Sequence, residues 1–395
     1  MVSLSSLATL LTSFVIAWAV IPSIISISRK KKLLDLPNRR KLNKVAVPTM
    51  GGVAVFIGLT VGSILFLRDR FMPEWQYLFT AVMLMLCIGL IDDLLVIRAW
   101  KKLLVQLGAA LILVVMGGFE VTRAYGLMGI DVLNNWFSIP ISVLLILFVI
   151  NAVNLIDGID GLAAGLSLLV SLALGSWFYL TGNLGYATIC MALCGSLAAF
   201  LMFNLSPAPK KIFLGDTGSL VLGVFLAAIA IRFNELNAWA TSPFRFAQAP
   251  LIAMALLIVP VTDTLRVIVV RIRKGRSPFS PDMNHLHHLL IKGGCSHAGA
   301  AGWLLAWTIA FVAIALLFNY LRLNISLGFV LMLALSFSAA QGVFTLARLH
   351  LKKRMKLELQ KLTTGLNGFN GHEHSPLAAG KKYINGNGIK VKIPD

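Results

Sequence analysis

Five of the 16 acidic residues in this chain lie where long apolar segments end. These residues are Asp92, Asp93, Asp157, Asp160 and Asp216. A carboxylate at the edge of a membrane is costly, so it usually marks a functional site. Each follows an odd-numbered apolar segment, so all five are expected on one side of the membrane. Because carboxylates hold Mg²⁺ together with substrate phosphates, the pattern predicts a site for Mg²⁺, with Mn²⁺ as a substitute, and for a phosphorylated substrate.

The segment NAVNLIDGIDGLAAG carries the strongest signal. Asn151, Asn154 and Asp157 recur every three residues, which favours one face of a helix. Gly158 and Gly161 then allow the backbone to approach a ligand closely. A plain polar turn would not explain two Asn side chains inside an apolar span. We therefore expect both Asn residues to bind substrate and Asp157 to act in catalysis or as a metal ligand.

Asp92 and Asp93 end a second apolar run, CIGLIDDLLVIRAWKKLLVQ, in which Lys101 and Lys102 follow two to three helical turns later. Adjacent carboxylates on a helix point in different directions. One is expected to face the site while the other holds a cation or a neighbouring base. Lys101 and Lys102 are expected to bind substrate. The alternative is a solvated acidic loop end that pairs with Arg98 or with the two lysines.

The run FNLSPAPKKIFLGDTGSLVLG opens another helix with glycines and hydroxyl groups. Such a start can present backbone N–H groups to a phosphate. Asp216 adds a hard oxygen ligand that suits Mg²⁺. The alternative is an ordinary Asp at a helix start.

A basic loop, RIRKGRSPFSPDMNHLHHLLIKGG, combines cationic and imidazole groups. The candidates are Arg271, Arg273, Lys274, Arg276, His285, His287 and His288. Three His in four residues could bind Zn²⁺, but no Cys or second His cluster stands at finger spacing. Contact with a phosphate or sugar fits the basic surroundings better, and a surface His cluster is the alternative.

The composition places these motifs in a membrane. The chain is 58% hydrophobic and 13% charged over 395 residues, which is typical of an all-α polytopic membrane protein. A spanning helix needs about 20 apolar residues. We predict about eleven spans, at approximately 4–27, 51–67, 76–91, 103–117, 138–153, 162–181, 185–203, 218–233, 248–270, 302–319 and 326–347.

The basic residues predict the orientation. Most of the 35 Lys and Arg residues fall after odd-numbered spans, and cytoplasmic loops hold the positive excess. The N-terminus is thus predicted outside and the C-terminus in the cytoplasm. The net charge of +19 follows this rule and fits anionic lipid and substrate, with no nucleic acid partner. We predict a transmembrane domain over 1–348 and a basic, partly disordered cytoplasmic tail over 349–395.

Together, these motifs resemble those of the polyprenyl-phosphate N-acetylhexosamine-1-phosphate transferases. The likeness covers about residues 30–300 and rests on DLPNRRKLNKVAVPTMGG, the Asp92-Asp93 pair, NLIDGIDGLAAG, FLGDTGS and SPDMNHLHH. The last motif is similar to the WecA- and TagO-like branch rather than to the more distant MraY-like one. Asn43 departs from the family pattern, because many relatives have His there.

The resemblance implies transfer of N-acetylglucosamine 1-phosphate from UDP-GlcNAc to undecaprenyl phosphate, with release of UMP. Asp216 is expected to be the leading Mg²⁺ ligand and Asp157 the second. Asp92, with Asp93 beside it, is expected to orient or deprotonate the lipid phosphate. The expected contacts to the donor are Phe213, Asn204, Asp160, Arg276, His285, His287 and His288, with Phe213 stacked on uracil.

Such an enzyme is expected in the bacterial inner membrane, with its site on the cytoplasmic face. Its product would initiate cell-surface polysaccharide synthesis, including O-antigen and lipopolysaccharide. The sequence leaves open a homodimer, and both a one-step displacement and a route through a phosphorylated Asp. Alternatives are a UDP-MurNAc-pentapeptide donor, as in the MraY-like branch, and a secondary transporter. A transporter fits poorly, because the only deep charges are Asp263 and Arg266, which at i, i+3 can pair with each other.

Overall fold

The computed structural model describes residues 2–35, 46–67, 72–241, 243–277 and 285–369. Asn43, residues 280–284 of the His motif and the end of the predicted tail lie outside these ranges. Contacts divide the chain into two units, Met1–Arg348 and Leu349–Asp395. Within the second unit, residues 349–369 are helical.

Helices dominate the described residues, which confirms the all-α class. They are α1 Val2–Lys30, α2 Gly51–Phe66, α3 Trp75–Leu95, α4 Ala99–Leu111, α5 Asn135–Ile156, α6 Leu162–Leu180, α7 Leu184–Asn204, α8 Gly215–Asn237, α9 Ala249–Leu256, α10 Ile258–Arg273, α11 Leu286–Lys292, α12 His297–Tyr320 and α13 Ile325–Phe369. A π-helical turn, Ile112–Met116, extends α4. Two small antiparallel ladders pair β1 Leu34–Asp35 with β2 Val47–Pro48, and β3 Arg123–Leu127 with β4 Ile130–Val132.

Two of the eleven predicted spans differ from the structure. In the described ranges nine helices are long and apolar enough to cross a membrane, or ten if the bent pair α9–α10 is one span. The predicted span 51–67 is the 16-residue helix α2. The predicted span 248–270 is broken between α9 and α10 by a 75° bend. Pro260 explains the break, because a proline lacks the N–H that would bond to Leu256 and its ring crowds that carbonyl.

Helix α8 lies at the centre of the first unit. Of its most apolar window, 83% is buried, against 22% for α1 at the periphery. Helices α2, α3 and α5 all pack against α8. Glycines permit this close approach: a Cβ at Gly52 would overlap the backbone of Gly218, and one at Gly223 would come within 2.6 Å of Ile150. Small residues at helix contacts are a common means of packing in membranes.

A polar network fixes the opposite end of α8, away from Asp216. Arg232 donates to Glu74 Oε1 at 2.9 Å and to the Gly117 carbonyl at 3.0 Å. Its guanidinium also lies 4.5 Å from the centre of the Phe119 ring. Asn237 bonds both to the carbonyl and to the N–H of Phe246, at 2.7 and 2.8 Å. The C-terminal end of α8 is therefore held by polar contacts.

The contact of α2 with α8 gives a stability prediction. Gly52→Ala places a methyl group against backbone that cannot rotate away, so we expect a loss of about 1–3 kcal/mol or more. The thermal unfolding midpoint of the purified protein in detergent measures it. Gly108→Ala, in α4 with no atom within 4 Å of the new Cβ, is the matched control and should be neutral or slightly stabilising. Equal midpoints for the two variants would contradict the packing described.

Candidate active site

A cavity of about 360 Å³ opens beside the N-terminus of α8. Its wall combines the ends of α3, α5 and α7 with the turn after α5 and the residues that lead into α8. The lining residues are Asp35, Thr49, Asp93, Asn154, Asp157, Gly158, Ile159, Asp160, Asn204, Phe213, Leu214, Gly215, Asp216 and His288. The structure thus brings four of the five carboxylates to one cavity.

Asp93 caps the start of α8 from a neighbouring helix. One of its oxygens accepts from the Asp216 N–H at 2.9 Å. The other accepts from the N–H and the hydroxyl of Thr217, at 3.0 and 2.6 Å. The first N–H groups of a helix have no partner within it, and a carboxylate there also interacts favourably with the helix dipole. Asp93 therefore sets the position of Asp216.

Lys102 lies between two carboxylates. Its Nζ is 2.7 Å from Asp92 Oδ2 and 3.3 Å from Asp216 Oδ1. The other oxygen of Asp92 accepts from the Ile97 N–H at 2.8 Å. Lys101, which was also expected at the substrate, instead lies exposed, 5.9 Å from the Trp100 ring. Neither lysine nor Asp92 is among the lining residues, so the Asp92–Lys102 pair acts on the cavity through Asp216.

The two Asn residues of α5 separate in role. Asn154 donates to Asp216 Oδ1 at 2.5 Å and to Ser219 Oγ at 2.7 Å. Asn151, contrary to expectation, does not line the cavity; its amide donates to Gln106 Oε1 and to the Leu147 carbonyl, both at 2.8 Å. A step of three residues on a 3.6-residue helix turns the side chain by roughly 60°. That drift directs Asn151 toward α4 while Asn154 and Asp157 reach the cavity.

Asp157 and Asp160 are in opposite electrostatic situations. Asp157 ends α5, and no residue in the described ranges gives its carboxylate a hydrogen bond or ion pair. Burial, followed by the charge of neighbouring carboxylates, raises the pKa of Asp157 well above its ordinary value. Asp160 lies 2.6 Å from Lys211 Nζ and 3.3 Å from His297 Nδ1. Burial alone would raise the pKa of Asp160, but these two partners outweigh it and the pKa is lowered.

The His cluster is anchored by a buried carboxylate of the broken span. Asp263, on α10, lies 2.8 Å from His285 Nδ1 and accepts from the Leu286 N–H at 2.7 Å. From the sequence we expected Asp263 to pair with Arg266. The contact between Asp263 and His285, which are 22 residues apart, was not predicted. Asp263 thereby holds the N-terminus of α11, the helix that carries His287 and His288.

His287 is packed under the turn after α5. The side chain is 2% exposed, and neither ring nitrogen has a hydrogen-bond partner in the part of the chain described. A Cβ at Gly158 would overlap its ring, so only glycine fits there. Burial, followed by the neighbouring His288, lowers the pKa of His287 to about 3. His287 is therefore neutral near pH 7, while His288, 4.3 Å away between ring centres, lines the cavity.

Asn204 and Phe213 belong to one braced segment. Asn204 accepts from the Gly161 N–H at 2.7 Å and donates to the Ile212 carbonyl at 2.9 Å. The backbone of Phe213 pairs with Pro48 at 2.8 Å and with Gly51 at 2.9 Å. The polar atoms of Asn204 are thus used to hold the wall, whereas the Phe213 ring lies on the cavity surface.

Arg276 is exposed and is not among the cavity residues. Sequence reasoning also missed four residues at the site: Asp35, Thr49, Lys211 and His297. Of these, Asp35 and Thr49 lie in the DLPN…PTMGG motif and Lys211 in the run before GDTGS. His297 lies nine residues after the end of the His motif, and no feature of the sequence indicated that it belongs to the site.

Asp157 and Asp216 are the residues that could hold a cation. No group of three or more His, Cys, Asp or Glu side chains within the described ranges forms a complete metal site. Mg²⁺ does not need one, because it retains waters and is held by one or two carboxylates plus substrate phosphates. The unpartnered Asp157 carboxylate and the adjacent Asp216 fit such a cation.

The fold and cavity define a polytopic membrane protein with an acidic site at the ends of its helices. The model of glycosyl transferase family 4 matches residues 75–234. A decaprenyl-phosphate N-acetylglucosaminephosphotransferase of Mycolicibacterium smegmatis is 34% identical over 337 residues, 79% of this chain and 80% of the relative. An undecaprenyl-phosphate alpha-N-acetylglucosaminyl 1-phosphate transferase of Escherichia coli O157:H7 is 28% identical over 278 residues, 68% and 71% of the two chains.

This chain belongs to glycosyl transferase family 4, together with these polyprenyl-phosphate phosphotransferases. The resemblance inferred from the motifs is confirmed. The matched residues 75–234 contain all five of the carboxylates that drew attention in the sequence.

The Asn151–Gln106 pair gives a second prediction. Asn151→Leu leaves the buried Gln106 amide, 1% exposed, without its partner, and an unsatisfied buried polar group costs about 1–3 kcal/mol. The unfolding midpoint should fall accordingly. The double variant Asn151→Leu/Gln106→Leu removes both polar groups and should recover most of the loss. Additive losses in the double variant would show that the pair is not a structural unit.

Proposed function

We propose that this protein transfers N-acetylglucosamine 1-phosphate from UDP-GlcNAc to a polyprenyl phosphate and releases UMP. The observation that carries the proposal is the carboxylate cluster around the N-terminus of α8, with Asp157 unpartnered in the cavity. The names of the two relatives support the same transfer. A secondary transporter is disfavoured by the family membership.

The chemistry needs charge neutralisation more than a strong base. A phosphate monoester has a second pKa of roughly 6, so the lipid phosphate is largely ionised near neutral pH. The obstacle is repulsion between this anion and the donor diphosphate. Lys102 supplies a half-buried cation 3.3 Å from Asp216, and Mg²⁺ held by Asp216 and Asp157 would neutralise charge on the diphosphate when bound.

The contacts divide the remaining carboxylates by task. Asp93 uses both oxygens to cap α8, and Asp92 uses both on Ile97 and Lys102. We therefore assign Asp92 and Asp93 to positioning rather than to proton transfer from the lipid phosphate. This revises the catalytic role that the sequence suggested for them.

The donor is proposed to lie against the wall formed by Phe213, Asp160 and His288. The Phe213 ring offers a stacking surface for uracil, with Lys211 Nζ 5.5 Å from its centre. His288 is the imidazole at the cavity for the diphosphate or sugar. His287 and His285 act behind it, since one is packed under Gly158 and the other is held by Asp263.

The remaining parts of the proposal concern the setting. We place the cavity at the cytoplasmic face of a bacterial inner membrane, with the N-terminus outside, on the distribution of basic residues. Undecaprenyl phosphate is the proposed acceptor, and the relatives are named for undecaprenyl and for decaprenyl phosphate. The product would start a cell-surface polysaccharide such as O-antigen, and a homodimer is the proposed assembly.

The function is tested with purified protein, radiolabelled UDP-GlcNAc and undecaprenyl phosphate. Label should move into the organic phase, and unlabelled UDP-GlcNAc should compete better than other UDP-sugars. Lys102→Gln should lower kcat at least about 100-fold, because Asp92 and Asp216 lose their shared cation. The adjacent Lys101→Gln, on the exposed side of α4, is the matched control and should retain near wild-type rates. If the folded wild-type protein transferred no label to the lipid, the proposed reaction would be wrong.

Metal dependence is tested with the same assay. EDTA should abolish transfer and Mg²⁺ or Mn²⁺ should restore it. Asp157→Asn should raise the Mg²⁺ concentration for half activity about 10-fold or more, because an amide is a weaker ligand for a hard cation. Asp131→Asn, an exposed carboxylate on β4, is the control and should titrate like wild type. Full turnover in excess chelator would rule out the metal site.

A further inference from the structure

A second concavity, of about 700 Å³, lies between α1 and the C-terminal end of α7. Its apolar wall consists of Trp18, Pro22, Ile25, Met202 and Phe203. Three cationic residues, Arg29, Lys30 and Lys210, line the same concavity. We call it the α1–α7 groove.

The charges of the groove lie at one end of it. Arg29 and Lys30 occupy the last turn of α1, about 18 Å along the helix axis from Trp18 at 1.5 Å per residue. Lys210 comes from the loop after α7, and Arg29 joins the two elements by donating to the Pro209 carbonyl. No acidic residue is among the lining residues. The groove therefore has an apolar length and a cationic end.

Two of these cations are not neutralised within the described structure. Neither Lys30 nor Lys210 has an ion pair or side-chain hydrogen bond to any described residue. A basic residue in the last turn of a helix such as α1 is favoured by the helix dipole alone. That explanation does not cover Lys210, which lies in a loop. Both lysines are exposed, and their convergence on one apolar groove suits an anion with an apolar tail.

The groove is separate from the active-site cavity. The two share no lining residue, although they lie on opposite sides of the same segment. Asn204 faces the cavity while Met202 and Phe203 face the groove. In the following loop Lys211 pairs with Asp160 on the cavity side, and Lys210 faces the groove. An amphiphile in the groove would thus be held away from Asp157 and Asp216.

We propose that the α1–α7 groove binds an anionic glycerophospholipid of the surrounding bilayer, with its phosphate at Lys30 and Lys210. One acyl chain would lie along the Trp18–Phe203 wall. The groove's length of about 18 Å suits this chain, because one leaflet contributes about half of a 30 Å hydrocarbon core. Polybasic segments at the membrane surface attract anionic headgroups. This lipid is distinct from the polyprenyl phosphate of the proposed reaction.

Quenching of Trp18 by brominated lipid measures the occupancy. The full-length protein is placed in two kinds of phosphatidylcholine nanodisc. One contains roughly 10–20% dibrominated phosphatidylglycerol, and the other contains the same fraction of dibrominated phosphatidylcholine. The chain has eight Trp residues, so the signal of Trp18 is the difference between wild type and Trp18→Phe. Trp18 should be quenched at least about twofold more by the anionic lipid than by the zwitterionic one. Equal quenching by the two lipids would overturn the proposal.

The variants test whether the two lysines cause the preference. Lys30→Gln/Lys210→Gln should abolish it, and Lys210→Gln alone, in the loop, should reduce it. Lys31→Gln, adjacent and exposed but not a lining residue, is the matched control and should preserve it. Loss of the preference in Lys31→Gln as well would indicate only general attraction to the basic surface. These readouts do not depend on transferase activity.

A competition experiment separates the phospholipid from the reaction's acceptor. Undecaprenyl phosphate, added at one to five equivalents per protein, should leave the quenching by brominated phosphatidylglycerol unchanged. Release of quenching at stoichiometric undecaprenyl phosphate would overturn the proposal and identify the groove as an acceptor site.

Discussion

The hydrogen bonds from Asp93 to the first residues of α8 are the contact on which the site depends. They place a carboxylate of α3 against the exposed N–H groups of the most buried helix, and so fix where Asp216 begins. The approach is close enough for this only because α2 and α3 meet α8 at glycines: a Cβ at Gly89 would come within 2.5 Å of Thr217. Packing and electrostatics therefore act together, since the glycines bring the helices near and the carboxylate locks their register.

With that register fixed, the carboxylates differ in how their charge is balanced. Asp92 has Lys102, and Asp160 has Lys211 and His297, whereas Asp157 has no partner within the described chain. A buried charge without a partner is the expensive case. The turn after α5 places two carboxylates at the cavity, Asp157 and Asp160, and the cost is concentrated at Asp157, which has no partner among the described residues. The protein thus balances the charges of Asp92 and Asp160 and leaves Asp157, which fits a cation together with Asp216, without such a partner.

Much of this arrangement could be predicted from the sequence. Composition and apolar lengths indicated an all-α membrane protein. The position of the five carboxylates after odd-numbered spans predicted a shared site, and four of the five line the cavity. Finer distinctions depended on geometry that no motif shows. Lys101 and Lys102 differ by about 100° around α4, and only the packing of α4 against α3 decides which one meets Asp92.

Contacts between distant segments were beyond the reach of the sequence. Asp263 appeared to belong with Arg266, because i, i+3 neighbours are the nearest visible partners. The bend between α9 and α10 instead brings Asp263 to His285. Similarly, His297 reaches Asp160 only because α12 begins beside the turn that follows α5. A broken span cannot be recognised from hydropathy, since both halves are apolar.

The segment between α7 and α8 has a property that its composition conceals. Neighbouring side chains face different compartments. Lys210 lines the groove beside α1, Lys211 pairs with Asp160 at the cavity wall, and the backbone of Phe213 is bonded to Pro48 and Gly51. A substitution at one position of this segment leaves the other side chains in their compartments. Insertion or deletion of a single residue would instead move each following side chain to the wrong compartment. The length of this segment is consequently under tighter constraint than the identity of most residues in it.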